Sequence, residues 1–483
     1  MGLMGILLGL GLLVFLAFRG WSVLALAPIA ALVAAAAAFE PLLAHWTQTF
    51  MPASAGFFAQ FFPLFLLGAL FGKLMEDSGS VSAIAHFMTG KLGKQRAILA
   101  VVLAGALVTY GGVSLFVAIF VLVPMGQAMF RAAGVPGRLL PAAVSLGTST
   151  FTMSALPGTP AIQNAIPMPF FGTTPFAAPG LGLIASAIML GFGLWWLARR
   201  EAAARKSGEG PGTDTADVDV AADSLIVRER ATVAREFDPA EVHRGQRSAE
   251  EPDAWVALLP LAVVMVVNLT MTLLVLPRMD TSYLAEARWG GVSLSHVGGV
   301  WSVIVALASA IVVVTVLNRS RLPALRDTVD AGLNASVLPV VSVASLVGFG
   351  AVVAALPAFA MVRDAVLSIE GGPLVGLAVA TNVLAALTGS ASGGLTIALG
   401  ALGETYMQLA YEQGLDPAIL HRVAVIGAGT LDSLPHNGAV VTLLAVCGAT
   451  HKESYLDLAM VAIAGAILAL IVVIVLGTAF GSF

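Results

Sequence analysis

The stretch TYGGVS, at Thr109–Ser114, lies in the middle of an apolar run that extends from residue 97 to residue 130. A second apolar run, residues 371–403, contains the comparable stretch TGSASGG at Thr388–Gly394. Small and polar residues at that depth interrupt a transmembrane helix, and irregular backbone is tolerated in a membrane only where protein or a water-filled cavity covers it. Each run is therefore predicted to form a re-entrant hairpin, which enters and leaves the membrane by the same face.

The composition indicates a membrane location. Of 483 residues, 58% are hydrophobic and only 11% are charged, whereas a soluble globular protein carries about 25% charged residues. Many apolar runs of about 20 residues indicate a polytopic helical membrane protein. The single cysteine, Cys447, excludes an intramolecular disulfide and a cysteine metal site. The apolar stretch Leu3–Phe18 lacks the pattern of a cleavable signal and is predicted to stay as the first span.

Ten apolar runs are predicted to be full spans, five before and five after a charged segment at residues 199–253. They are residues 3–18, 21–39, 57–72, 139–168 and 180–198, followed by 254–277, 291–317, 333–360, 418–447 and 457–480. The charged segment is rich in Ala, Gly and Asp and has no catalytic signature, so it is predicted to be a solvated cytoplasmic linker. The linker separates residues 1–198 from residues 254–483, and each half contains one hairpin.

Lysine and arginine residues indicate the orientation. With both hairpins re-entrant and the N-terminus outside, 20 of the 24 fall on the cytoplasmic side, and Arg278, Arg288, Arg363 and Arg422 fall outside. The short loops alone favour this orientation by 11 to 4, in line with the positive-inside rule. We therefore expect a multi-pass protein of a bacterial inner membrane with both termini on the periplasmic side. An odd number of spans per half makes the second half inverted relative to the first.

The two halves also resemble each other in sequence. Four pairs of motifs follow in the same order: Gly111–Ser114 with Gly393–Thr396, Gly134–Pro136 with Gly414–Pro417, Gly147–Thr150 with Gly427–Thr430, and Leu156–Thr159 with Leu434–Asn437. Their offset drifts only from 282 to 278 residues. Inverted repeats whose paired segments are interrupted by Gly or Pro point to the binding site of a secondary transporter. The predicted fold is all-α, with one hairpin and one proline-broken helix in each repeat.

The two hairpin tips and the two broken helices are expected to meet near the membrane midplane and to bind the substrate. Half-helices that start there expose backbone N–H groups, which attract anions, and polar side chains add neutral donors and acceptors. No deep arginine is visible in the span pattern, so the expected cargo is a small carboxylate that bears hydroxyl groups. The predicted substrate-binding residues are Thr109, Gly111, Gly112, Ser114, Ser154, Gly158, Thr159, Gln163, Asn164, Thr388, Ser390, Ser392, Gly393, Gly394 and Asn437.

Proton coupling is assigned to two residues of the second broken helix. Asp432 is the one carboxylate deep in a predicted span, and His436 follows four residues later. Ionisable residues inside a membrane are costly and usually functional, and both side chains can take up a proton. Sodium coupling stays open, because hairpin carbonyls with Ser and Thr hydroxyls can also enclose Na⁺. Structural roles stay open too: capping for Asp432, interior hydrogen bonding for His436, packing for the glycines and bonding to their own helices for the hydroxyls.

Three segments resemble the gluconate permease family of proton symporters, within the ion transporter superfamily: residues 110–136, 146–180 and 431–455. The motifs LPGTPAIQN and LPHNGAV carry the resemblance most strongly, and it covers nearly the whole chain apart from the linker. It implies uptake of gluconate or another small hydroxy acid; relatives carry D-serine or 3-hydroxybutyrate. It also implies a homodimer in which a mobile domain with both hairpins moves like an elevator against a scaffold.

The sequence thus predicts a proton-coupled symporter that brings a small hydroxy-monocarboxylate into the cell. A Na⁺-coupled dicarboxylate transporter is the alternative, but the Ser-Asn-Thr signature of such superfamily members is replaced by TYGGVS and TGSASGG. An intramembrane enzyme or a channel is the alternative of another class; an enzyme is disfavoured because the chain has neither HExxH nor Gly-x-Ser-x-Gly. The expected partners are the organic anion, the proton and the lipid bilayer, with no cofactor, metal or nucleic acid.

Overall fold

The computed structural model describes residues 2–19, 21–209 and 245–483. Within those ranges the chain is helical and contains no β-strand, which confirms the predicted all-α fold. The middle of the predicted linker, residues 210–244, lies outside the described residues. The last helix of the first half continues into the start of the linker as far as Lys206.

The helices follow the same order in both halves: two spans, a long helix with a shorter one behind it, a hairpin, a broken helix and a final span. The first half contains α1 (Gly2–Phe18), α2 (Val23–Ala37), α3 (Leu42–Asp77), α4 (Ser80–Leu92), α5 (Ala97–Tyr110), α6 (Leu115–Ala133), α7 (Leu140–Thr148), α8 (Phe151–Ser154), α9 (Ile162–Ala165), α10 (Pro167–Phe171) and α11 (Pro179–Lys206). The second half contains α12 (Ala254–Arg278), α13 (Leu294–Leu317), α14 (Leu325–Ala355), α15 (Phe359–Leu367), α16 (Pro373–Thr388), α17 (Ala391–Gln413), α18 (Pro417–Leu431), α19 (Gly438–Val446) and α20 (His451–Phe480). The inverted relation between the halves stays a prediction.

Apolar helices of membrane-spanning length dominate the chain. Among the described residues, seven helices are long and apolar enough to cross a membrane, namely α3, α6, α11, α12, α13, α14 and α20. Five shorter apolar helices, α1, α2, α5, α16 and α18, accompany them. The protein is therefore a multi-pass membrane protein, while the side on which each loop lies stays a prediction.

Both interrupted runs break at the residues that the sequence indicated. α5 and α6 are joined by a turn in which Gly112 has a φ of +99°. α16 ends at Gly389, which has a φ of +64°. Backbone of this kind favours glycine, which has no Cβ to clash. Beyond the second turn, α16 and α17 approach so closely that Gly394 packs directly against the backbone of Ala385.

The helices pack into two groups. The first, called the frame group, contains α1, α2, α3, α12, α13 and α14, with α14 packed against α2 and α3. The second, called the hairpin group, contains α5 to α9, α11 and α16 to α20, with α18 packed against α16 and α20. A large cluster of buried apolar side chains runs through both groups, and a smaller one holds α1 and α2 onto α14. α17 contacts α14, so the second hairpin lies against the frame group.

Buried charge fixes the end of the linker to the frame group. Near the C-terminal end of α3, Lys73 Nζ lies 3.0 Å from Asp77 Oδ1 and 3.4 Å from Glu76 Oε2, and all three side chains are buried. Arg247, just before α12, reaches Glu76 Oε1 at 3.1 Å, and the backbone N–H of Ser248 donates to Asp77 O at 2.8 Å. The described C-terminal part of the linker is thus held against α3.

Candidate substrate cavity

A cavity of about 210 Å³ lies between the frame group and the hairpin group. Both hairpin tips and both broken helices contribute to its wall, and α3 and α14 of the frame group close the opposite side. The volume exceeds that of the roughly 150 Å³ cavity known to take up a benzene molecule. A small organic molecule therefore fits inside.

The cavity contains about half of the residues that the sequence singled out. Those in its lining are Thr109, Gly112, Ser114, Ser154, Gln163, Ser392, Asn437 and Asp432. Those away from its lining are Gly111, Gly158, Thr159, Asn164, Thr388, Ser390, Gly393, Gly394 and His436. The sequence repeat located the four breaks, but it did not distinguish the residues that face the cavity from those behind the wall.

Three of the glycines behind the wall serve helix packing. A Cβ added at Gly111 would overlap the side chain of Leu261 on α12, and one added at Gly158 would press into the ring of Phe176. Gly394 meets the backbone of α16. Their small size lets neighbouring elements touch, which is the packing alternative that the sequence left open.

Helix starts at the cavity differ in how they are capped. Asn437 Oδ1 accepts from two backbone N–H groups of α19 at 2.7 and 3.2 Å, and Ser390 Oγ accepts from one in α17 at 3.1 Å. α6, which has 19 residues, starts at Ser114 without a side-chain cap among the described residues. Ser114 and Leu115 line the cavity. Of the three longer helices α6, α17 and α19 that start at the cavity, α6 is thus the one whose N-terminus no described side chain caps, and such an N-terminus attracts anions.

Two cavity hydroxyls donate their protons to their own helices. Thr109 Oγ1 donates to Gly105 O at 2.8 Å, and Ser154 Oγ donates to Thr150 O at 3.0 Å. Each oxygen therefore presents only acceptor lone pairs to a bound molecule. Gln163 Oε1 is buried and has no hydrogen-bond partner within the described part of the chain. These three lining residues thus offer acceptor oxygens, which suit a ligand with donors.

The two residues predicted for proton coupling are separated by the structure. Asp432 lines the cavity at the C-terminal end of α18, and its Oδ1 accepts from the Ser433 hydroxyl at 3.3 Å. The helix dipole does not stabilise a negative charge at that end. His436 lies outside the lining, where its Nε2 is 3.0 Å from Ala386 O of α16. Of the two, Asp432 is the residue that a substrate can meet.

Side chains from three elements hold the first broken helix in shape. They donate to three consecutive carbonyl groups between α8 and α9, which a break would otherwise leave unpaired. The bonds are Tyr110 Oη to Pro157 O (2.6 Å), Asn268 Nδ2 to Gly158 O (3.0 Å) and Asn164 Nδ2 to Thr159 O (3.0 Å). Thr159 and Asn164, predicted for substrate binding, are therefore used to support the break.

No deep arginine is visible in the span pattern of the sequence, but the structure buries one. Arg422, which the sequence placed outside, is completely buried on α18 and donates to Ala177 O at 2.7 Å. Its neighbour His421 is also fully buried, with Nδ1 2.6 Å from Thr173 Oγ1 and Nε2 3.2 Å from Asn164 Oδ1. Both residues lie inside the apolar run predicted at 418–447, and that position is the sequence feature that could have indicated their burial.

Comparisons with known proteins agree with this architecture. Residues 1–169 match the sequence model of the GntP family permeases. The protein named Uncharacterized transporter YxjC, from Bacillus subtilis strain 168, is 41% identical over 471 residues, which is 95% of each chain. The solved structure of MtrF from Neisseria gonorrhoeae, reported as illuminating a class of antimetabolite efflux pumps, superposes with a TM-score of 0.56 at 14% identity, over 90% of this chain and 85% of that one. That likeness concerns the fold, whereas the 41% identity confirms the family expected from the sequence: the chain is a secondary transporter, not an enzyme, and belongs to the GntP permease family.

Proposed function

We propose that this transporter imports a small hydroxy-monocarboxylate together with a proton. The observation that carries the proposal is one cavity lined by the uncapped start of α6, by Asp432 and by Gln163, whose side-chain oxygen is buried without a hydrogen-bond partner among the described residues. Gluconate and 3-hydroxybutyrate are the candidate substrates that the family resemblance suggests.

The carboxylate of the substrate binds at the start of α6. Its first turn offers backbone N–H groups and the positive end of the helix dipole. Ser114, at the same point of the cavity wall, adds a hydroxyl group that can donate. A carboxylate accepts from several donors at once, so this end of the cavity suits an anion and needs no cation in contact with it.

The hydroxyl groups of the substrate bind to acceptor oxygens of the cavity wall. A buried acceptor without a donor costs about 1–3 kcal/mol, which applies to Gln163 Oε1 among the described residues. Thr109 and Ser154 also only accept, because their protons are donated to backbone carbonyls. A hydroxy acid supplies donors to these oxygens. The second carboxylate of a dicarboxylate only accepts and leaves them unpaired, which favours the hydroxy-monocarboxylate.

Asp432 carries the proton. An entering anion brings a second carboxylate into the cavity that Asp432 lines, and two ionised carboxylates in one site repel each other. The complex is therefore most stable when the pair holds one proton. Substrate and proton then bind and leave together, which is the requirement for symport.

The distribution of polar groups supports an elevator movement. The frame group lines the cavity with Leu64, Phe65, Gly68, Ala69, Ala335, Ser336, Pro339 and Val343. The hydroxyl of Ser336, the single polar side chain in that lining, donates to Leu333 O at 2.7 Å. The groups that hold the substrate thus all belong to the hairpin group, which can carry it along an apolar frame. In the dimer that the family resemblance implies, the frame groups form the contact.

Transport in proteoliposomes tests the coupling. Labelled gluconate and 3-hydroxybutyrate are added outside vesicles with an alkaline interior, in the absence of Na⁺. Accumulation above equilibrium that a protonophore abolishes is the expected result. Accumulation that ignores the pH gradient and requires a Na⁺ gradient would rule out the proton assignment.

The role of Gln163 is tested with a matched pair of variants. Gln163→Met removes the buried acceptor. The ratio of the affinity for 3-hydroxybutyrate to that for butyrate, which has no hydroxyl donor, should therefore fall about tenfold. Gln127→Met is the control: Gln127 lies on α6 away from the cavity lining and donates to Cys447 O at 3.3 Å. An unchanged preference for 3-hydroxybutyrate in Gln163→Met would refute the placement of the hydroxyl groups.

A further inference from the structure

Arg422 is among the largest side chains that the structure buries completely. Its guanidinium group donates from Nη2 to Ala177 O at 2.7 Å and from Nη1 to Ser154 O at 3.2 Å. A longer contact of 3.4 Å joins Nη1 to Asn164 Oδ1. All three acceptors are neutral, and within the described ranges Arg422 forms no ion pair with a carboxylate.

The other buried charges are compensated. Lys73 lies against Asp77, and the buried carboxylate of Asp457 receives Arg138 at 2.8 Å and Arg200 at 2.7 Å. Burial of a charge without a partner of opposite sign is costly, even when hydrogen bonds are made. Arg422 departs from this pattern, so its positive charge stands uncompensated among the described residues.

The uncompensated charge lies directly behind the cavity wall. Ser154, whose carbonyl group accepts from Arg422, lines the cavity, and so does Gly429 two turns further along α18. Asp432, which also lines the cavity, lies ten residues from Arg422, about 15 Å along a helix. A substrate anion is therefore the charge that can approach the guanidinium group most closely, with Ser154 between them.

We infer that Arg422 determines the preference of this site for anions by acting as a counter-charge through the cavity wall, without touching the substrate. The inference rests on the proposed function and adds the source of its charge selectivity. In a buried site of effective dielectric constant about 20, a charge roughly 8–10 Å from a carboxylate favours it over a neutral analogue by roughly 15- to 30-fold.

A purely structural role predicts a different result. Arg422 also satisfies carbonyl groups of Ser154 and Ala177, so its removal can loosen the first broken helix. Such loosening would weaken binding of charged and neutral ligands alike. The ratio of the two affinities therefore reports the charge, whereas each affinity alone does not.

The experiment measures the affinities of gluconate and its neutral amide, gluconamide, and of 3-hydroxybutyrate and its amide, by calorimetry at one fixed pH. Purified full-length protein in lipid nanodiscs is used. Arg422→Lys keeps the charge and Arg422→Gln removes it. Asn164→Asp leaves Arg422 in place and replaces the amide oxygen that the guanidinium group contacts by a carboxylate oxygen. The negative charge then compensates the charge of Arg422 at its own position.

Wild type and Arg422→Lys should prefer the acids, and Arg422→Gln and Asn164→Asp should each lose roughly 15- to 30-fold of that preference. The preference is read as the ratio of acid to amide affinity, because both variants also lose bonds that support the first broken helix. An acid-to-amide ratio that stays at the wild-type value in either variant overturns the inference. If both variants fail to fold while Arg422→Lys folds, the charge serves folding and the inference is overturned as well. Wild type that binds neither acid refutes the proposed function itself, a separate outcome from any change in the variants.

Discussion

Replacement of Asp432 by asparagine should make substrate affinity independent of pH. In the wild-type protein the carboxyl group lines the same cavity as the bound anion. Asparagine has nearly the same shape but cannot ionise. The variant therefore behaves at every pH as the wild type does when Asp432 holds a proton.

The size of the cavity sets the magnitude. A volume of about 210 Å³ corresponds to a sphere roughly 7 Å across, so two carboxyl groups at its edges lie about 6 Å apart. At an effective dielectric constant of about 20, two unit charges at that separation repel by about 3 kcal/mol, which is about hundredfold in affinity. Because only the ionised form of Asp432 repels the anion, wild-type affinity should fall by up to about hundredfold as the pH rises through its titration.

Calorimetric titration of gluconate across a pH series measures this effect, together with pH-driven uptake in vesicles. Asp432→Asn should show a flat affinity profile and no accumulation driven by the pH gradient, while exchange of labelled for unlabelled substrate continues. His436→Gln is the matched control: His436 is outside the lining and lies against Ala386 O, so its variant should keep the wild-type profile. A sloping profile in Asp432→Asn, or a flat one in His436→Gln, would refute the assignment of the proton.

Two further predictions concern stability. Gly394→Ala should destabilise the protein by about 1–3 kcal/mol, because the new methyl group meets the backbone of Ala385, which cannot move aside. Gly400 is on the same helix and faces open space, so Gly400→Ala should be neutral or stabilising by up to about 1 kcal/mol. Thermal unfolding followed by tryptophan fluorescence measures both effects. The hydrogen bond from Arg138 (Nε–Oε1 2.6 Å) is the main cause that lowers the pKa of Glu209. The ionised pair therefore stabilises the fold above the usual range of a glutamate and loses this effect as the pH falls through the lowered pKa. Because the pair is partly exposed to solvent, Glu209→Gln should cost at most about 1 kcal/mol at neutral pH and nothing in acid, and an equal deficit at both pH values would contradict this.

The architecture was predictable because it depends on local sequence. Apolar runs, the glycines that permit turns at Gly112 and Gly389 and the prolines that end helices are visible without any tertiary information. Because the same motifs occur in the same order in both halves, the four breaks were expected to lie close together. The structure has a cavity lined by these four breaks, and its use as the substrate site stays a prediction.

The roles of individual residues were not predictable in the same way, because they depend on which neighbour the fold brings close. Gly111 and Gly112 are adjacent, yet one packs against Leu261 and the other lines the cavity. Hydroxyls such as Thr109 turn to their own helix carbonyls, a choice that sequence leaves open. Arg422 is buried because carbonyl groups of the first half, distant in the chain, accept from it. A hydropathy profile shows such an arginine only as the edge of a predicted span.

The proposed movement also requires that the two groups of helices separate more easily than either comes apart. Buried carboxylates hold each group internally. In the frame group, Asp77 of α3 pairs with Lys73 on its own helix and accepts from Thr328 of α14 at 2.7 Å, and in the hairpin group Asp457 of α20 pairs with Arg138. Between the groups, Asn268 of α12 reaches across to Gly158 O at 3.0 Å. A neutral hydrogen bond contributes about 0.5–1.5 kcal/mol net, whereas breaking a buried ion pair costs about 3–5 kcal/mol. A contact made of apolar side chains and a neutral hydrogen bond can therefore be broken and remade while the ion pairs inside each group stay intact. The positions of the buried charges, rather than of the apolar surfaces, then determine which helices move together.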